Sequence, residues 1–316
     1  MITGKTFKDL PALQVSDGVV RLTVLPAWGG KVAEIFDRRR GREWLFENPA
    51  LSYERCAARM PAYGADYVGQ FDVGGFDECF PTVGPCFYPT DPWRGTPLPD
   101  HGEVWSVPWD ADVKGDVLNL TTHGVRLPYR LEKSIRLTGN GGIRFDYRAI
   151  NPTAYPVPFL WSSHPLFAIR PGMCLKLPVD AMRVFSAPAF PAHHGDRIPW
   201  PRSDELDLSR VPQPDAGVAV KLFSPPLREG WAELSDPADG AAFRFTFDPT
   251  RVTHLGLWLN YGGWAGAIGA QPYFNLGLEP CIGAPDTLDT AVNHWGEYGV
   301  LPPKGSQTWW LQITLS

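Results

Sequence analysis

Short runs in which apolar and polar residues alternate recur along most of the chain. Residues 19–25 and 31–36 form two such runs, separated by the turn-like segment 26–30. Alternation places one face of an extended strand against a core and leaves the other face polar. No long stretch keeps the 3.6-residue period of a helix. The sequence therefore predicts an all-β protein, a large antiparallel β-sandwich.

Further predicted strands follow at the regular spacing of such a sandwich. They cover residues 104–113, 117–122, 129–137, 143–151, 157–169, 218–223, 231–234, 241–247, 254–260, 273–280 and 308–315. Residues 47–100 and 187–217 are irregular and rich in Pro, and long irregular segments of a compact protein are usually functional. Because no polar linker divides the strands, we expect residues 1–316 to form one domain.

Charge and cysteine content disfavour several classes of partner. The chain has 29 Lys and Arg against 34 Asp and Glu, a net charge of −5, so nucleic acid and anionic membranes are poor candidates. Five cysteines without a CxxC pair indicate reduced thiols in a cytoplasmic protein. Neither a signal peptide nor an apolar run of membrane-spanning length is visible. The sequence does not indicate an oligomeric state.

The predicted strand 273–280 carries a carboxylate at its end. Phe274, Leu276 and Leu278 share one face, and Asn275, Gly277 and Glu279 share the other. We expect Pro280 to end the strand, because proline donates no ladder hydrogen bond. A strand end is a rigid mount, so Glu279 is a candidate for proton transfer. The alternative interpretation is an ordinary half-buried strand whose Glu279 side chain reaches solvent and has no catalytic role.

Two loop segments carry further candidate residues. Asp77 and Glu78 follow a pair of glycines, where the backbone can approach a ligand closely. The alternative is a tight turn with solvated carboxylates. His101 lies between acids at the start of a predicted strand, where it either titrates near neutral pH or is simply exposed.

Two apolar strands carry polar residues on one face. Ser162 and His164 share a face of the run 157–169, so His164 is either a satisfied core histidine or part of a site. Trp258 and Asn260 share a face of the run 254–260. An aromatic ring beside an amide suits a sugar, although an interior Trp is an equally ordinary reading.

In this order, the segments resemble the aldose 1-epimerase (galactose mutarotase-like) family, especially its hexose-phosphate mutarotase branch. The similarity extends from about residue 20 to the end. It is carried by the segments Gly74-Gly75-Phe76-Asp77-Glu78-Cys79-Phe80-Pro81, Pro99-Asp100-His101-Gly102 with Trp105 and Trp109, Ser163-His164-Pro165-Leu166-Phe167, Trp258-Leu259-Asn260 and Leu278-Glu279-Pro280.

The resemblance implies a supersandwich fold and an isomerase that opens and recloses a cyclic sugar, so that its α and β anomers interconvert. It implies Glu279 as the base and His164 as the acid, with His101 positioning the ring oxygen or sharing the acid role. Asp77, Glu78, Trp258 and Asn260 are implied to contact the substrate, a monosaccharide or sugar derivative. Proton transfer needs neither a metal nor a redox cofactor, and we expect none.

The chain departs from that branch at two positions. Val73 stands where an Arg normally precedes the double glycine, and Glu103-Val104 stands where the branch continues towards another Arg. The missing cations disfavour a phosphorylated substrate. Two other classes stay open, namely a non-catalytic sugar-binding module and a polysaccharide lyase or glycosidase, for which Glu279 with Asp77 or Glu78 would be the carboxylate pair.

Overall fold

The computed structural model describes residues 1–203, 206–266 and 272–316, and β-strands account for most of the regular structure in them. The strands of the N-terminal half are β1 (Ile2–Phe7), β2 (Leu10–Ser16), β3 (Val20–Leu25), β4 (Lys31–Asp37), β5 (Arg42–Glu43), β6 (Phe76–Cys79), β7 (Cys86–Phe87), β8 (Pro97–Leu98), β9 (Asp110–Lys114), β10 (Val117–His123), β11 (Arg130–Gly139), β12 (Gly142–Ile150) and β13 (Val157–Phe159). Those of the C-terminal half are β14 (Trp161–Ala168), β15 (Cys174–Lys176), β16 (Ala181–Ala189), β17 (Arg197–Pro199), β18 (Arg202–Ser203), β19 (Leu206–Asp207), β20 (Val218–Phe223), β21 (Trp231–Asp236), β22 (Ala241–Phe247), β23 (His254–Tyr261), β24 (Phe274–Ile282), β25 (Gly299–Leu301) and β26 (Ser306–Leu315).

The helical segments are short. They are α1 (Tyr53–Ala57), α2 (Leu288–Thr290), two π-helical turns (Tyr67–Phe71 and Ala291–Trp295) and a 3-10 turn (Pro214–Ala216). Among the described residues, no helix has the length and apolar character needed to cross a membrane.

Two antiparallel sheets face each other. The twelve-stranded sheet runs in the order β1-β2-β3-β4-β6-β14-β24-β23-β20-β16-β17, with β5 paired to β4. The eight-stranded sheet runs β15-β21-β22-β26-β12-β11-β10-β9. Side chains from both sheets, including Leu278 and Leu311, belong to one hydrophobic cluster. The predicted all-β sandwich class is confirmed.

The strand that carries Glu279 lies in the middle of the larger sheet, between β14 and β23. Leu276 and Leu278 pack into the core between the sheets, so Asn275, Gly277 and Glu279 point to the other face, as predicted. The prediction that Pro280 ends this strand is wrong. The strand continues to Ile282, and Pro280 stays in register opposite Leu255 on β23.

Other differences between prediction and structure occur in both halves of the chain. In the C-terminal half, β16 and β17 of the larger sheet were not predicted, and the segment 187–217, expected to be irregular, contains β17, β18 and β19. The hairpin β1–β2 was not predicted, and residues 104–109 are irregular where a strand was expected. The segment 47–100 contains β6, which pairs with both β4 and β14. A four-residue strand that is buried throughout shows no alternation, so the residue pattern does not reveal it.

Candidate active site

Three adjacent strands place three predicted residues in one row. Asp77 on β6 is the register partner of His164 on β14. The flanking pairs Ser162–Cys281 and Leu166–Gly277 set His164 beside Glu279 on β24. Register partners point to the same face of a sheet, which here is the face away from the core. The His164 Nε2 atom lies 3.8 Å from Glu279 Oε1.

Two glycines leave room for the Glu279 carboxylate, which is only 1% exposed. A Cβ at Gly256 would lie 2.9 Å from Glu279 Oε2, and one at Gly277 would lie 2.6 Å from Oε1. Any larger residue at these positions would force the carboxylate to move. The sheet therefore forms a recess that holds this one side chain.

The two carboxylate oxygens of Glu279 have unlike surroundings. Oε2 accepts a hydrogen bond from Lys221 Nζ at 2.5 Å, and Ser162 Oγ lies 3.5 Å away. Among the residues that the structure describes, Oε1 has no hydrogen-bond partner. An unpaired buried oxygen is costly, and it identifies the position where a ligand's donor would be satisfied.

His101 lies above this row on an irregular segment. Its ring stacks on that of Tyr67 with 3.6 Å between centroids, and Nδ1 lies 3.1 Å from Asp100 Oδ1. The His101 ring meets the His164 ring edge to face, with 4.9 Å between centroids. The structure thus brings His164 next to Glu279, and His101 next to His164.

The two imidazoles titrate in opposite directions. Burial lowers the pKa of His164, and the neighbouring charges of His101 and Lys221 lower it further, well below its usual value. Burial also lowers the pKa of His101, but Asp100, Asp72 and Asp77 together raise it by more, so the net pKa is higher than usual. His164 is therefore neutral at neutral pH, and His101 is the imidazole held towards its charged form.

A cavity of about 340 Å³ opens between these residues. Tyr67, Val68, Asp72, Val83, Gly84, Pro85, Asp100, His101, His164, Leu166, Phe185, Ser186, Lys221, Trp258, Trp264, Asp286 and Thr287 line it. Glu279 lies just beneath this lining, in contact with His164 and Lys221.

A depression of about 790 Å³ elsewhere is lined largely by the outer face of the eight-stranded sheet, including charged residues such as Asp110 and Lys114. We place the site in the smaller cavity because the unlike imidazoles and the buried carboxylates meet there.

Two tryptophans form an aromatic wall of the cavity. The rings of Trp258 and Trp264 meet edge to face with 5.5 Å between centroids. Asn260 is fully buried and does not line the cavity. Its Nδ2 donates to the Trp264 carbonyl at 2.9 Å, and its Oδ1 accepts from the Trp264 amide at 3.2 Å. Asn260 thus holds the wall rather than facing a ligand.

The two acids that follow the double glycine lie on opposite faces of the larger sheet. Asp77 is paired with Lys31 and accepts a hydrogen bond from the Tyr67 hydroxyl at 2.9 Å, beneath the cavity. Glu78 points into the core between the sheets, because adjacent strand residues alternate. Neither residue lines the cavity, so the expectation that they contact a substrate directly lacks support from their positions.

Three acidic or basic residues of the cavity were missed at the sequence level: Asp72, Lys221 and Asp286. Lys221 is the only charged residue in the otherwise apolar strand β20, and that isolated charge is a signal that sequence reasoning could have used. Asp72 accepts a hydrogen bond from the Tyr273 hydroxyl at 2.9 Å. Burial raises the pKa of both Asp72 and Asp286. Nothing in the local sequence distinguishes these two aspartates from surface residues.

Comparison with known proteins bears on the fold. Neither the family models nor the curated proteins include a match to this chain. Among solved structures, a galactose mutarotase-like protein from Lactobacillus casei is 17% identical with a TM-score of 0.68, covering 96% of this chain and 100% of that one. A galactose mutarotase-like protein from Clostridium acetobutylicum is 12% identical with a TM-score of 0.70, covering 100% and 98%. A galactose mutarotase related enzyme from Lactobacillus acidophilus is 13% identical with a TM-score of 0.66, covering 96% and 97%. The chain therefore has the fold of the galactose mutarotase-like structures.

Proposed function

We propose that this protein is an aldose 1-epimerase that interconverts the α and β anomers of a sugar. The observation that carries the proposal is the arrangement of His164 and His101 in the lining of one small cavity, with Glu279 beside His164 just beneath that lining, one imidazole neutral and the other held towards its charged form. Ring opening needs a base and an acid that act on one sugar at the same pH.

In the proposed mechanism, Glu279 Oε1 takes the proton of the anomeric hydroxyl, and His101 gives a proton to the ring oxygen. The electrons of the O–H bond form the carbonyl while the bond between the anomeric carbon and the ring oxygen breaks. Rotation about the bond to the free aldehyde, followed by the reverse transfers, gives the other anomer. The resemblance assigns the acid role to His164. The charge states favour His101 as that acid, and neutral His164, which lies beside Glu279, would then hydrogen-bond to the sugar.

The cavity suits a small sugar without a phosphate. Its volume of about 340 Å³ is at the lower end of the range for small-molecule sites. Trp258 and Trp264 offer rings for the apolar face of a pyranose. The carboxylates of Asp72, Asp100 and Asp286 are acceptors for hydroxyl groups, and the described residues that line the cavity include no arginine, the side chain that best binds a phosphate.

The positions of Asp77 and Glu78 argue against a glycosidase. The glycosidase would pair Glu279 with Asp77 or Glu78 on either side of the scissile bond. Asp77 is instead bound by Lys31 and the Tyr67 hydroxyl beneath the cavity, and Glu78 points into the core, where Tyr147, Trp161 and Lys133 bind it. A non-catalytic sugar-binding protein would explain the aromatic wall, but it would not need imidazoles of unlike charge.

We also propose that residues 1–316 act as a single domain, in the cytoplasm and without a metal ion. Support comes from the shared core of the two sheets and from five cysteines that are all free thiols. The reaction itself requires only proton transfer. Activity should therefore survive prolonged treatment with a chelator.

Polarimetry on freshly dissolved α-glucose and α-galactose tests the function, with a chromogenic glycoside as the second substrate. We expect the protein to accelerate the approach to anomeric equilibrium for at least one sugar and to release no chromophore. Binding of a sugar by calorimetry without any acceleration would favour the binding protein. Chromophore release that depends on Glu279 would favour the glycosidase.

A further inference from the structure

Lys221 is a buried cation in an apolar strand. Its side chain is 6% exposed, and its neighbours Val220 and Leu222 are fully buried in the core. Burying an ammonium group is strongly unfavourable unless anions compensate it. The compensating anions are Glu279 at 2.5 Å and Asp286 at 3.5 Å.

The sheet register directs Lys221 across a neighbouring strand towards Glu279. Lys221 on β20 pairs with Trp258 on β23, and Trp258 pairs with Gly277 on β24. The missing side chains of Gly256 and Gly277 leave the carboxylate within reach of the ammonium group. Contact between two strands that are not neighbours thus depends on a long side chain and on two glycines.

The groups that face Glu279 come from several elements. They are His164 from β14, Lys221 from β20, Cys79 from β6, Cys281 from its own strand, and His101 and Asp286 from the loops. Burial raises the pKa of the Glu279 carboxyl, Lys221 lowers it, and Asp286 raises it again. Burial lowers the pKa of Lys221, but Asp286 and Glu279 raise it by more, so the lysine stays charged.

We propose that Lys221 is a positioning residue that keeps the buried Glu279 ionised and binds its Oε2, so that Oε1 is left free to face the sugar. The inference rests on the role of Glu279 in the proposed function. It goes beyond that role, because it makes Lys221, two strands away, responsible for keeping Glu279 ionised. Asp286 opposes the effect of Lys221 on the pKa of Glu279, because its negative charge lies beside the same ammonium group and repels the Glu279 carboxylate.

Three variants separate this role from a merely structural one. Lys221→Met removes the charge at similar length, Lys221→Arg keeps it, and Asp286→Asn removes the opposing carboxylate. The readout is the titration of Glu279 followed by carbon NMR of labelled Glu carboxyl groups, with the resonance assigned by its loss in Glu279→Gln. Because this readout does not depend on activity, a failure of the proposed function is distinguishable from a failure of this inference.

We expect Lys221→Met to raise the titration midpoint of Glu279 by about one pH unit or more. Asp286→Asn should lower the midpoint, and Lys221→Arg should leave it close to that of the wild type. In mutarotation, Lys221→Met should lower kcat more than it raises KM, with the loss shrinking as the pH rises.

Unchanged titration of Glu279 in Lys221→Met would overturn the inference. If Lys221→Met does not fold, the other two variants decide. The midpoint should stay close to that of the wild type in Lys221→Arg and be lower in Asp286→Asn, and equal midpoints in these two variants would overturn the inference. If the midpoints move as expected but no sugar is turned over, the proposed function fails while the control of Glu279 by Lys221 stands.

Discussion

Glu78 and Glu279 are both buried glutamates of the twelve-stranded sheet, and each lies beside a buried lysine. Glu78 points into the core, where it accepts hydrogen bonds from Tyr147 at 2.9 Å and Trp161 at 2.8 Å and pairs with Lys133 at 2.9 Å. Glu279 points the other way, with Lys221 on one oxygen and no partner among the described residues on the other. The same side chain is thus fully satisfied on one face of the sheet and partly unsatisfied on the other.

This difference separates a structural carboxylate from a reactive one. Lys133 belongs to the eight-stranded sheet, so its pair with Glu78 joins the two sheets. Glu279 contacts side chains that line a cavity, and its free oxygen lies 3.8 Å from an imidazole. Burial and a lysine partner are common to both. What distinguishes Glu279 is an unsatisfied oxygen beside space for a ligand.

The largest effect on turnover is expected from a substitution of His101, the proposed acid that acts together with Glu279. Glu78 has no such imidazole partner. His101→Asn removes the charged imidazole, and we expect turnover to fall by about two to four orders of magnitude with a raised KM. Steady-state mutarotation kinetics measure both constants. His123→Asn, at the exposed end of β10, is the matched control and should behave like the wild type. Equal kinetics for the two variants would remove His101 from the mechanism.

The next effect concerns stability. Glu78→Gln leaves Lys133 buried without its anion, and breaking such a pair should cost about 3–5 kcal/mol of unfolding free energy. Urea denaturation measures the loss. Glu132→Gln, on a half-exposed position of the neighbouring strand β11, should cost less than about 1 kcal/mol. Glu78→Gln molecules that are folded should keep normal turnover, and selective loss of turnover would contradict the assignment of Glu78 to the core.

The pH dependence of kcat/KM should report the titration of Glu279 and of His101, which are needed in opposite protonation states. The active form needs Glu279 deprotonated, and its pKa is raised, so activity falls as the pH drops through a value above 4.5. It needs His101 protonated, and that pKa is raised too, so activity also falls as the pH rises through a value above 6.5. A bell-shaped profile is expected, and a flat profile from pH 4 to 9 would exclude this pair.

The smallest effect is expected from crowding the recess around Glu279. A Cβ at position 277 would lie 2.6 Å from Glu279 Oε1 and 3.1 Å from Trp258 Cβ. A shift of the carboxylate by a fraction of an ångström should lower turnover about tenfold. Gly4→Ala, where an added Cβ meets nothing within 4 Å, is the control. Full activity of Gly277→Ala would show that the recess does not position the base.

Period-two patterning was sufficient to predict the sandwich, and it placed Glu279, Trp258 and His164 on the correct faces of their strands. It failed where the pattern depends on distant partners. The strand β6 is buried on both faces and shows no alternation. Pro280 does not end β24, because the residues on either side of it, Glu279 and Cys281, stay paired with β23. Patterning likewise could not reveal the pairing of Lys221 with Glu279, which lies 58 positions further along the chain. Local sequence predicts to which face of a strand each side chain points, but the order and register of the strands decide which side chains come into contact.

The most direct test of the central claim is the rate of anomer exchange catalysed by Glu279→Gln, measured by NMR exchange spectroscopy beside the wild type and Glu78→Gln. The substrate is any sugar that the wild type is shown to interconvert. The glutamine keeps the shape of the side chain but lacks a basic oxygen, so exchange should slow by about two to four orders of magnitude while the unfolding temperature changes little. Glu78→Gln should show the reverse, with a lower unfolding temperature and a normal rate per folded molecule. Near-normal exchange by a folded Glu279→Gln would contradict the account, because Glu279 would then be no more reactive than Glu78.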